Sequence, residues 1–344
     1  MSKYSIIGID LAKKSFDIVA VNAEGNIVLK KKISRENFFK EYLDTFVEEE
    51  TFAFEACSGS NHIAQKLSEL GHKVILLKTK DVKAYAKSRQ KNDSNDALAI
   101  CKAARDPELM HVHPKTEEEQ EVAYLHNARQ NVIQQRIQRC NSIMAWCAEV
   151  GFVVACGKAQ FATKCKKIVE EIFQKGYLRE SVYQQMLLDC KEIENNLLRE
   201  KVLDKEIVKL NKKSSAAKNL LTIPGIGPIN ASILSNKPMA MYKSGRDFAA
   251  SLGLVPRQNT TGGKIQLGSI TKQGDRYART MLIQAARSLV MRFYKPNPAD
   301  DMLNRFIARM VAKRKKFNVI CVAIANKLAR IAHSCVINKT CYHI

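Results

Sequence analysis

Acidic residues are scarce in the C-terminal part of this 344-residue chain, where positions 201–344 carry 26 basic residues and only 6 acidic ones. Positions 1–200 are nearly balanced, with 30 basic and 28 acidic residues, so the net charge of +22 lies almost entirely in the last 144 residues. Lysines and arginines without neighbouring acids favour a polyanionic partner, because they displace the counterions condensed on phosphates. The charge pattern therefore predicts a nucleic-acid-binding region at the C-terminal end.

Features that would point to other protein classes are missing as well. The ten cysteines include no C-x-x-C pair, so neither a zinc ribbon nor a disulfide framework is indicated. A basic membrane-surface protein, the alternative for such a charge, would need an anchoring helix or a lipidation signal, and neither is evident. The first apolar run is short and ends in Asp10, unlike a signal peptide, and no stretch approaches the length of a membrane span. We expect a cytoplasmic protein with reduced thiols and no membrane partner.

Strand and helix patterns alternate over the first 110 residues. Runs of apolar and β-branched residues predict strands, and helical spacing predicts helices. The predicted order is strands at 4–9, 16–21 and 27–29, a helix at 36–46, a strand at 51–55, a helix at 61–70, a strand at 74–77, and a long helix or helix pair at 81–105. This order is that of the RNase H-like fold.

Strand signals almost vanish between residues 111 and 215, where apolar residues recur at near-helical spacing. This segment predicts a helical arm, which either packs on its own chain or forms an intermolecular coiled coil. Residues 216–344 predict a basic, mainly helical domain with a glycine-rich loop or hairpin between Leu252 and Gly274. The predicted fold class is therefore α/β plus α, with domains at 1–110, 111–215 and 216–344.

Four acidic residues occupy positions where an isolated carboxylate would lose solvation or lie beside another negative charge, which costs free energy. Asp10 and Glu55 each end an apolar strand, and adjacent parallel strands would bring the two anionic groups side by side unless a cation lies between them. Asp93 and Asp96 are three residues apart, so on a helix they share one face. Each residue alone has an ordinary explanation as a cap or an ion-pair partner. Together they predict a site for two Mg²⁺ (or Mn²⁺) ions that clamp the attacking and leaving oxygens of a phosphodiester.

The basic region contains two candidate phosphate-binding segments. Residues 222–231 resemble the hairpin of a helix-hairpin-helix motif, in which Gly225 and Gly227 would let the backbone approach a phosphate. A purely structural Gly-Pro turn is the alternative. Around the glycine-rich stretch we predict that five cations contact phosphates: Arg257, Lys264, Lys272, Arg276 and Arg279.

These motifs resemble the DEDD transposases of insertion sequences (insertion-sequence family one hundred and ten and its one-thousand-one-hundred-and-eleven branch) and the related Piv DNA invertases. The resemblance covers essentially the whole chain and rests on five strings: GIDLAKKSFDIVAVN, FEACSGSNHIAQKL, KNDSNDALAI, LLTIPGIGPINA and FAASLGLVPRQNTTGGKIQLGSITKQGDRYAR. It implies a RuvC-like nuclease domain, a helical dimerisation arm and a C-terminal transposase domain. It further implies DNA recombination guided by a structured RNA of the element, in a dimer or tetramer.

The resemblance also implies a serine nucleophile that becomes covalently linked to DNA, and here this sequence departs from the family pattern. The aligned segment, residues 259–263, has threonines at Thr260 and Thr261. A threonine retains the hydroxyl, but its extra methyl group restricts the side chain and crowds an in-line attack. We predict Thr260, slightly ahead of Thr261, as the nucleophile, with reduced activity or a decayed copy as alternatives. Ser269, across the predicted hairpin, could substitute only if the loop folds it inward.

Two other functions remain open from the sequence. A junction-resolving, RNase H-like nuclease would use water as its nucleophile and would tolerate the loss of both threonine hydroxyls. A catalytically decayed nucleic-acid-binding protein would bind equally well without Mg²⁺ or without the carboxylate of Asp10.

Overall fold

The structure is a computed structural model that describes residues 4–46, 48–86, 93–261, 264–295 and 301–342. The chain separates into two compact units, residues 1–120 and residues 121–344. The boundaries of the three predicted domains stay predictions.

The first unit is built on a five-stranded mixed sheet. Its strands are β1 (Ile6–Leu11), β2 (Ser15–Val21), β3 (Ile27–Ser34), β4 (Thr51–Glu55) and β5 (Lys73–Leu77). Their order across the sheet is β3-β2-β1-β4-β5. The first three strands pair antiparallel, as a chain joined by short turns can, while β4 and β5 continue the sheet parallel to β1. The predicted strands are confirmed, although β3 is longer than the three residues predicted and β1 continues through Asp10.

Helices cover both faces of this sheet. They are α1 (Arg35–Asn37), α2 (Ser60–Glu69), α3 (Thr79–Val82) and α4 (Asp93–Ala104). One face, with Ile7, Ile9 and Phe54, packs with α2, and the other, with Ile6, Val19 and Ala53, packs with α4. Because successive side chains of a strand point to opposite faces, each strand contributes to both cores.

Two predicted helices are less regular than the sequence pattern suggested. The predicted helix at 36–46 is a short α-helical turn followed by a π-helical turn at Phe38–Tyr42 and a 3₁₀ turn at Leu43–Thr45. Phe38 packs edge-on against Phe16 and Phe39, so aromatic packing sets the path of this segment. In the predicted stretch 81–105, α3 and a 3₁₀ turn precede α4, and residues 87–92 lie outside the described part.

Helices and one hairpin make up the second unit. Its elements are α5 (Glu117–Glu149, which begins in the first unit), α6 (Lys158–Gln174), α7 (Glu180–Asn211), α8 (Ser215–Leu221), α9 (Pro228–Ser235), α10 (Gly245–Ser251), β6 (Pro256–Thr261), β7 (Lys264–Ile270), α11 (Arg276–Phe293), α12 (Met302–Ala312) and α13 (Phe317–Ile337). The predicted arm is helical, and α5 and α7 are joined by ion pairs from Arg129 to Asp204 and from Arg136 to Glu200. The helices from α8 to α13 surround an apolar core of their own. The predicted hairpin is β6 and β7.

One helix has the length and mean hydropathy of a membrane span, which the sequence prediction had overlooked. Helix α13 has 21 residues and a mean hydropathy of 1.5 over its most apolar window, of which half is buried. Ile320, Ile324 and Leu328 on this helix lie in the core of the second unit. The burial explains the hydropathy, so α13 is not a convincing membrane span.

Candidate active site

Asp10 and Glu55 are brought together by the pairing of β1 with β4. The parallel register joins Ile9 to Phe54, so Asp10 and Glu55 are the next residues on neighbouring strands. Neighbouring strands lie about 4.8 Å apart. Both side chains are half-buried. The two carboxylates therefore occupy one edge of the sheet, as the sequence predicted.

The alternation of side chains also places both carboxylates on one face. Gly8 and Asp10 follow Ile6 on the face covered by α4, and Glu55 follows Ala53 on the same face. Gly8 allows α4 to lie directly against β1, because a Cβ at this position would be 2.5 Å from both the carbonyl oxygen of Ala97 and Sγ of Cys101. The middle of α4, at Ala97 and Cys101, is thus held close to the strand that carries Asp10.

The direction of α4 decides which of its ends lies near the two carboxylates. At its C-terminal end, Arg105 donates to the carbonyl of Ala23 over 2.6 Å. Ala23 lies in the β2–β3 turn, at the end of the sheet where β1 begins. Helix α4 therefore runs antiparallel to β1, and its N-terminal end, with Asp93 and Asp96, lies at the edge that carries Asp10 and Glu55.

The two aspartates of α4 are described to different extents. Asp96 is half-buried and continues the row of Ala97, Ile100 and Cys101 that faces the sheet. The side chain of Asp93 lies outside the described part. Four predicted positions thus converge on one end of one sheet, three of them with described side chains.

An exposed thiol reports on the electrostatics of this edge. The pKa of Cys57 is raised, first by partial burial and then by the carboxylates of Glu55 and Asp10, while the guanidinium of Arg35 lowers it. Both carboxylates therefore act on the same small region, where Arg35 supplies positive charge.

Asp17 belongs to this neighbourhood and was not predicted. It is directly opposite Asp10 in the antiparallel register of β1 and β2, so the two side chains share a face. Asp17 is paired with Lys32 of β3 over 3.0 Å, which balances its charge. No local motif marks Asp17 in the sequence, because only the strand register brings it next to Asp10.

The donor set fits a hard divalent cation. Asp10, Glu55 and Asp96 offer only oxygen ligands, the type that Mg²⁺ and Mn²⁺ prefer over softer donors. Among the side chains that the structure describes, no three Asp, Glu, His or Cys groups lie close enough to hold one ion. The oxygen donors of the set suit a hard metal ion, and the side chains would have to move closer together to hold one ion jointly.

The candidate nucleophile lies on the exposed hairpin of the second unit. Thr260 is exposed, pairs with Ile265 across the hairpin, and its Oγ1 accepts a hydrogen bond from Nε2 of Gln258 over 3.1 Å. The side chain of Thr261 lies outside the described residues, as do Gly262 and Gly263. Ser269 is exposed on β7, near the base of the hairpin and several residues from Thr260 along the ladder.

The predicted phosphate contacts differ in exposure. Arg257, Lys272 and Arg276 are exposed, whereas the side chain of Lys264 lies outside the described part. Arg279 is only 8% exposed, and its Nη1 donates to the carbonyls of Leu252 over 2.9 Å and Gln273 over 2.7 Å. This guanidinium supports the base of the hairpin from inside, so the structure gives Arg279 a structural role in place of the predicted surface contact.

The two glycines of the predicted helix-hairpin-helix have different surroundings. Gly225 has a φ of +84°, and a Cβ there would lie 2.7 Å from the side chain of Leu289, so the turn is packed against α11. Gly227 has open space around it and caps α9. Phosphate contact at both glycines stays a prediction, with Gly227 the more accessible of the two.

A buried histidine network lies in the same unit and had no sequence signal. His126 of α5 is within 3.0 Å of Oγ of Ser232 and 3.4 Å of the hydroxyl of Tyr277. Burial, followed by the charges of Arg129 and Lys237, lowers the pKa of His126 to about 4. The network joins α5 to α9 and α11 and keeps a neutral imidazole in the interior at physiological pH.

Comparisons with known proteins agree with this architecture. Residues 7–149 match a DEDD-type family model described as a transposase, and residues 217–301 match the model of the IS116/IS110/IS902 transposase family. The chain is 36% identical to the transposase of insertion sequence element IS1328 from Yersinia enterocolitica, over 96% of each chain. It is 29% identical to the transposase of element IS1111A from Coxiella burnetii, over 96% of this chain and 89% of the relative.

Proposed function

Because the chain belongs to the IS116/IS110/IS902 family and is a DNA transposase of the DEDD type, we propose that it cleaves and rejoins DNA strands at the ends of its own insertion sequence. The convergence of Asp10, Glu55 and the N-terminal end of α4 at one sheet edge is the observation that supports this most directly. The strand order β3-β2-β1-β4-β5 with α4 on one face further supports an RNase H-like, RuvC-like nuclease domain.

In this proposal the carboxylates of Asp10, Glu55, Asp93 and Asp96 are metal ligands. Bound Mg²⁺ or Mn²⁺ would supply charge stabilisation for the phosphodiester and activation of the attacking oxygen. Asp10 and Glu55 are half-buried and lie on the face of the sheet that α4 covers. Lys32 neutralises Asp17 of β2. Asp17 therefore adds little electrostatic repulsion to that between Asp10 and Glu55.

The hydroxyl of Thr260 or Thr261 is the proposed nucleophile. Its oxygen would form a bond to phosphorus while the bond to one DNA oxygen breaks, which leaves a threonine–DNA ester and a free DNA hydroxyl. That hydroxyl, or one from another strand, would reverse the step during rejoining. Exposed cations near the hairpin, Arg257, Lys272 and Arg276, would hold neighbouring phosphates.

A homo-oligomer, dimer or tetramer, follows from the need to act on more than one DNA end. Helix α7 presents a stripe of exposed apolar side chains, in which Leu188 and Val202 are two heptads apart and Leu198 precedes Val202 by four residues. This stripe supports a coiled-coil contact between arms. We further propose a structured RNA of the element as guide and a cytoplasmic location, both in line with the resemblance described above.

The test is a search for a covalent protein–DNA adduct with purified protein, Mg²⁺, element-end DNA and the flanking transcript of the element. Wild type is compared with Thr260→Ala, Thr261→Ala, Ser269→Ala and Asp10→Asn. Asp17→Asn is the matched carboxylate control, since Asp17 lies beside Asp10 but is paired with Lys32. We expect the adduct to disappear in Asp10→Asn and in one threonine variant and to persist in Asp17→Asn.

Other results would identify the alternatives. Loss of the adduct in Ser269→Ala alone would move the nucleophile to β7. Metal-dependent cleavage without any adduct would indicate a water-using nuclease. Binding without cleavage in the wild type would indicate a decayed copy.

A further inference from the structure

A large groove opens on the second unit, beside the base of the β6–β7 hairpin. Its volume is about 1340 Å³, and its walls come from α10, α12, α13 and the base of the β6–β7 hairpin. Sites for small molecules commonly occupy roughly 300–1,000 Å³. The groove therefore has room for a segment of a polymer.

The charge that lines the groove is of one sign. Arg246, Lys327 and Arg330 line it, and no aspartate or glutamate does. Within the described part of the chain, none of these three cations forms an ion pair. Burial, with the nearby charges of Arg309 and Arg330, lowers the pKa of Lys327. Cations gathered without acids repel one another, and an anionic ligand would offset this repulsion.

Apolar side chains share the groove with these cations. Val319 is 49% exposed, and Met302 and Ile337 are each 43% exposed. Phe306 forms part of the wall, with the ammonium of Lys327 4.7 Å from its ring centroid. Exposed apolar surface next to cations suits a ligand that has both phosphates and flat apolar faces. An unpaired nucleic-acid strand has both, whereas a duplex hides the faces of its bases.

The groove is continuous with the hairpin that carries the candidate nucleophile. Pro256, Ser269 and Ile270, at the base of β6 and β7, line it, and the same two strands lead to Thr260. A strand held in the groove would therefore run alongside the hairpin.

We propose that this groove binds a single-stranded nucleic-acid segment, with phosphates on Arg246, Lys327 and Arg330 and bases against Phe306 and the exposed apolar side chains. The inference rests on the proposed function only in taking nucleic acid as the partner. An acidic amphipathic helix, from a second copy or another protein, is the competing occupant and is distinguished by the test.

The test measures the affinity of the full chain for a fluorescent oligothymidylate and for a blunt DNA duplex at several salt concentrations. The double variant Lys327→Gln/Arg330→Gln removes two groove cations. Lys213→Gln/Lys218→Gln is the matched control, because both lysines are exposed and neither lines the groove. Val322→Glu is a second groove variant that adds an acid to the wall.

The expected size follows from counterion release. Each single-strand phosphate contact contributes about 0.7 to the slope of log affinity against log salt, so the double variant should lose about 1.4 of the slope. With an unchanged affinity at 1 M salt, this corresponds to roughly 25-fold weaker single-strand binding at 0.1 M. Duplex binding and the control variant should stay close to wild type, and Val322→Glu should weaken single-strand binding alone. A photo-crosslinking thymidine analogue should label the α12 and α13 peptides.

Three outcomes would overturn the inference. The first is an unchanged salt dependence of single-strand affinity in both groove variants, while the protein–DNA adduct that depends on Asp10 still forms. The proposed function would then stand, but the groove would have no part in it. A second is a changed oligomeric state with unchanged single-strand binding, which would make the groove a protein contact. The third is a wild type that binds no nucleic acid at all, which would remove the proposed function as well.

Discussion

Replacement of Gly8 by alanine tests whether the close approach of α4 to β1 aligns the candidate site. The new Cβ would meet the carbonyl oxygen of Ala97 and Sγ of Cys101 at 2.5 Å, whereas ordinary van der Waals contact begins at 3.4 Å. Helix α4 must therefore retreat by about 0.9 Å, and Asp96 moves with it. A change of this kind in a packed core costs about 1–3 kcal/mol of the free energy of unfolding. A misplacement near 1 Å in a catalytic site can lower the rate by about 100-fold.

The assay combines metal-dependent cleavage of element-end DNA with denaturant unfolding of the same preparations. We expect Gly8→Ala to remain folded, to keep its DNA affinity, and to cleave about 100-fold more slowly. Gly157→Ala is the matched control, since nothing lies within 4 Å of a Cβ there and its φ of −68° suits alanine. Gly8→Ala/Cys101→Ala removes one of the two close contacts and should recover part of the lost rate.

If a folded Gly8→Ala protein cleaved DNA at the wild-type rate, the reasoning would be refuted. The distance between α4 and β1 would then not set the geometry of the carboxylates. Equal loss of activity in Gly157→Ala would also refute it, since the effect would then not depend on crowding at β1.

Two further predictions concern the second unit. The pKa of His126 falls from 6.5 to about 4 on folding, so the folded state binds fewer protons than the unfolded state between these values. The free energy of unfolding should fall by about 3 kcal/mol as pH drops from above 6.5 to below 4, and His126→Gln should lack this pH-dependent part. If wild type and His126→Gln showed the same dependence of unfolding free energy on pH, the assignment to His126 would be wrong. Arg279→Ala should cost about 3 kcal/mol in unfolding experiments, because two buried carbonyls lose a charged donor. The exposed Arg276→Ala should cost less than about 0.5 kcal/mol, and equal effects of the two substitutions would show that Arg279 is not structural.

Local patterns in the sequence were sufficient for several parts of the fold. The apolar runs before Asp10 and Glu55 predicted β1 and β4, since a buried strand is marked by its own residues. The spacing of Asp93 and Asp96 predicted a shared helix face, and α4 begins at Asp93. The glycine-rich stretch predicted a hairpin, which the structure has as β6 and β7.

Predictions that depended on distant residues were less complete. Asp17 was missed because its closeness to Asp10 arises from strand register. Arg279 was grouped with the surface cations because nothing in its sequence neighbourhood indicates that the carbonyl of Leu252, 27 residues away, accepts from it. The helix at 36–46 was predicted to be regular, but the packing of Phe38 against Phe16 favours a π-helical turn.

The sequence by itself determined the element types, the family and the acidic and hydroxyl groups available for chemistry, because these follow from residues close together in the chain. Only the tertiary structure decided that α4 runs antiparallel to β1, which cations face solvent, and that four separate elements enclose a cationic groove. The physical reason is that direction, burial and enclosure depend on packing between segments far apart in sequence. A local pattern specifies the apolar face of an element but does not specify the element against which that face packs.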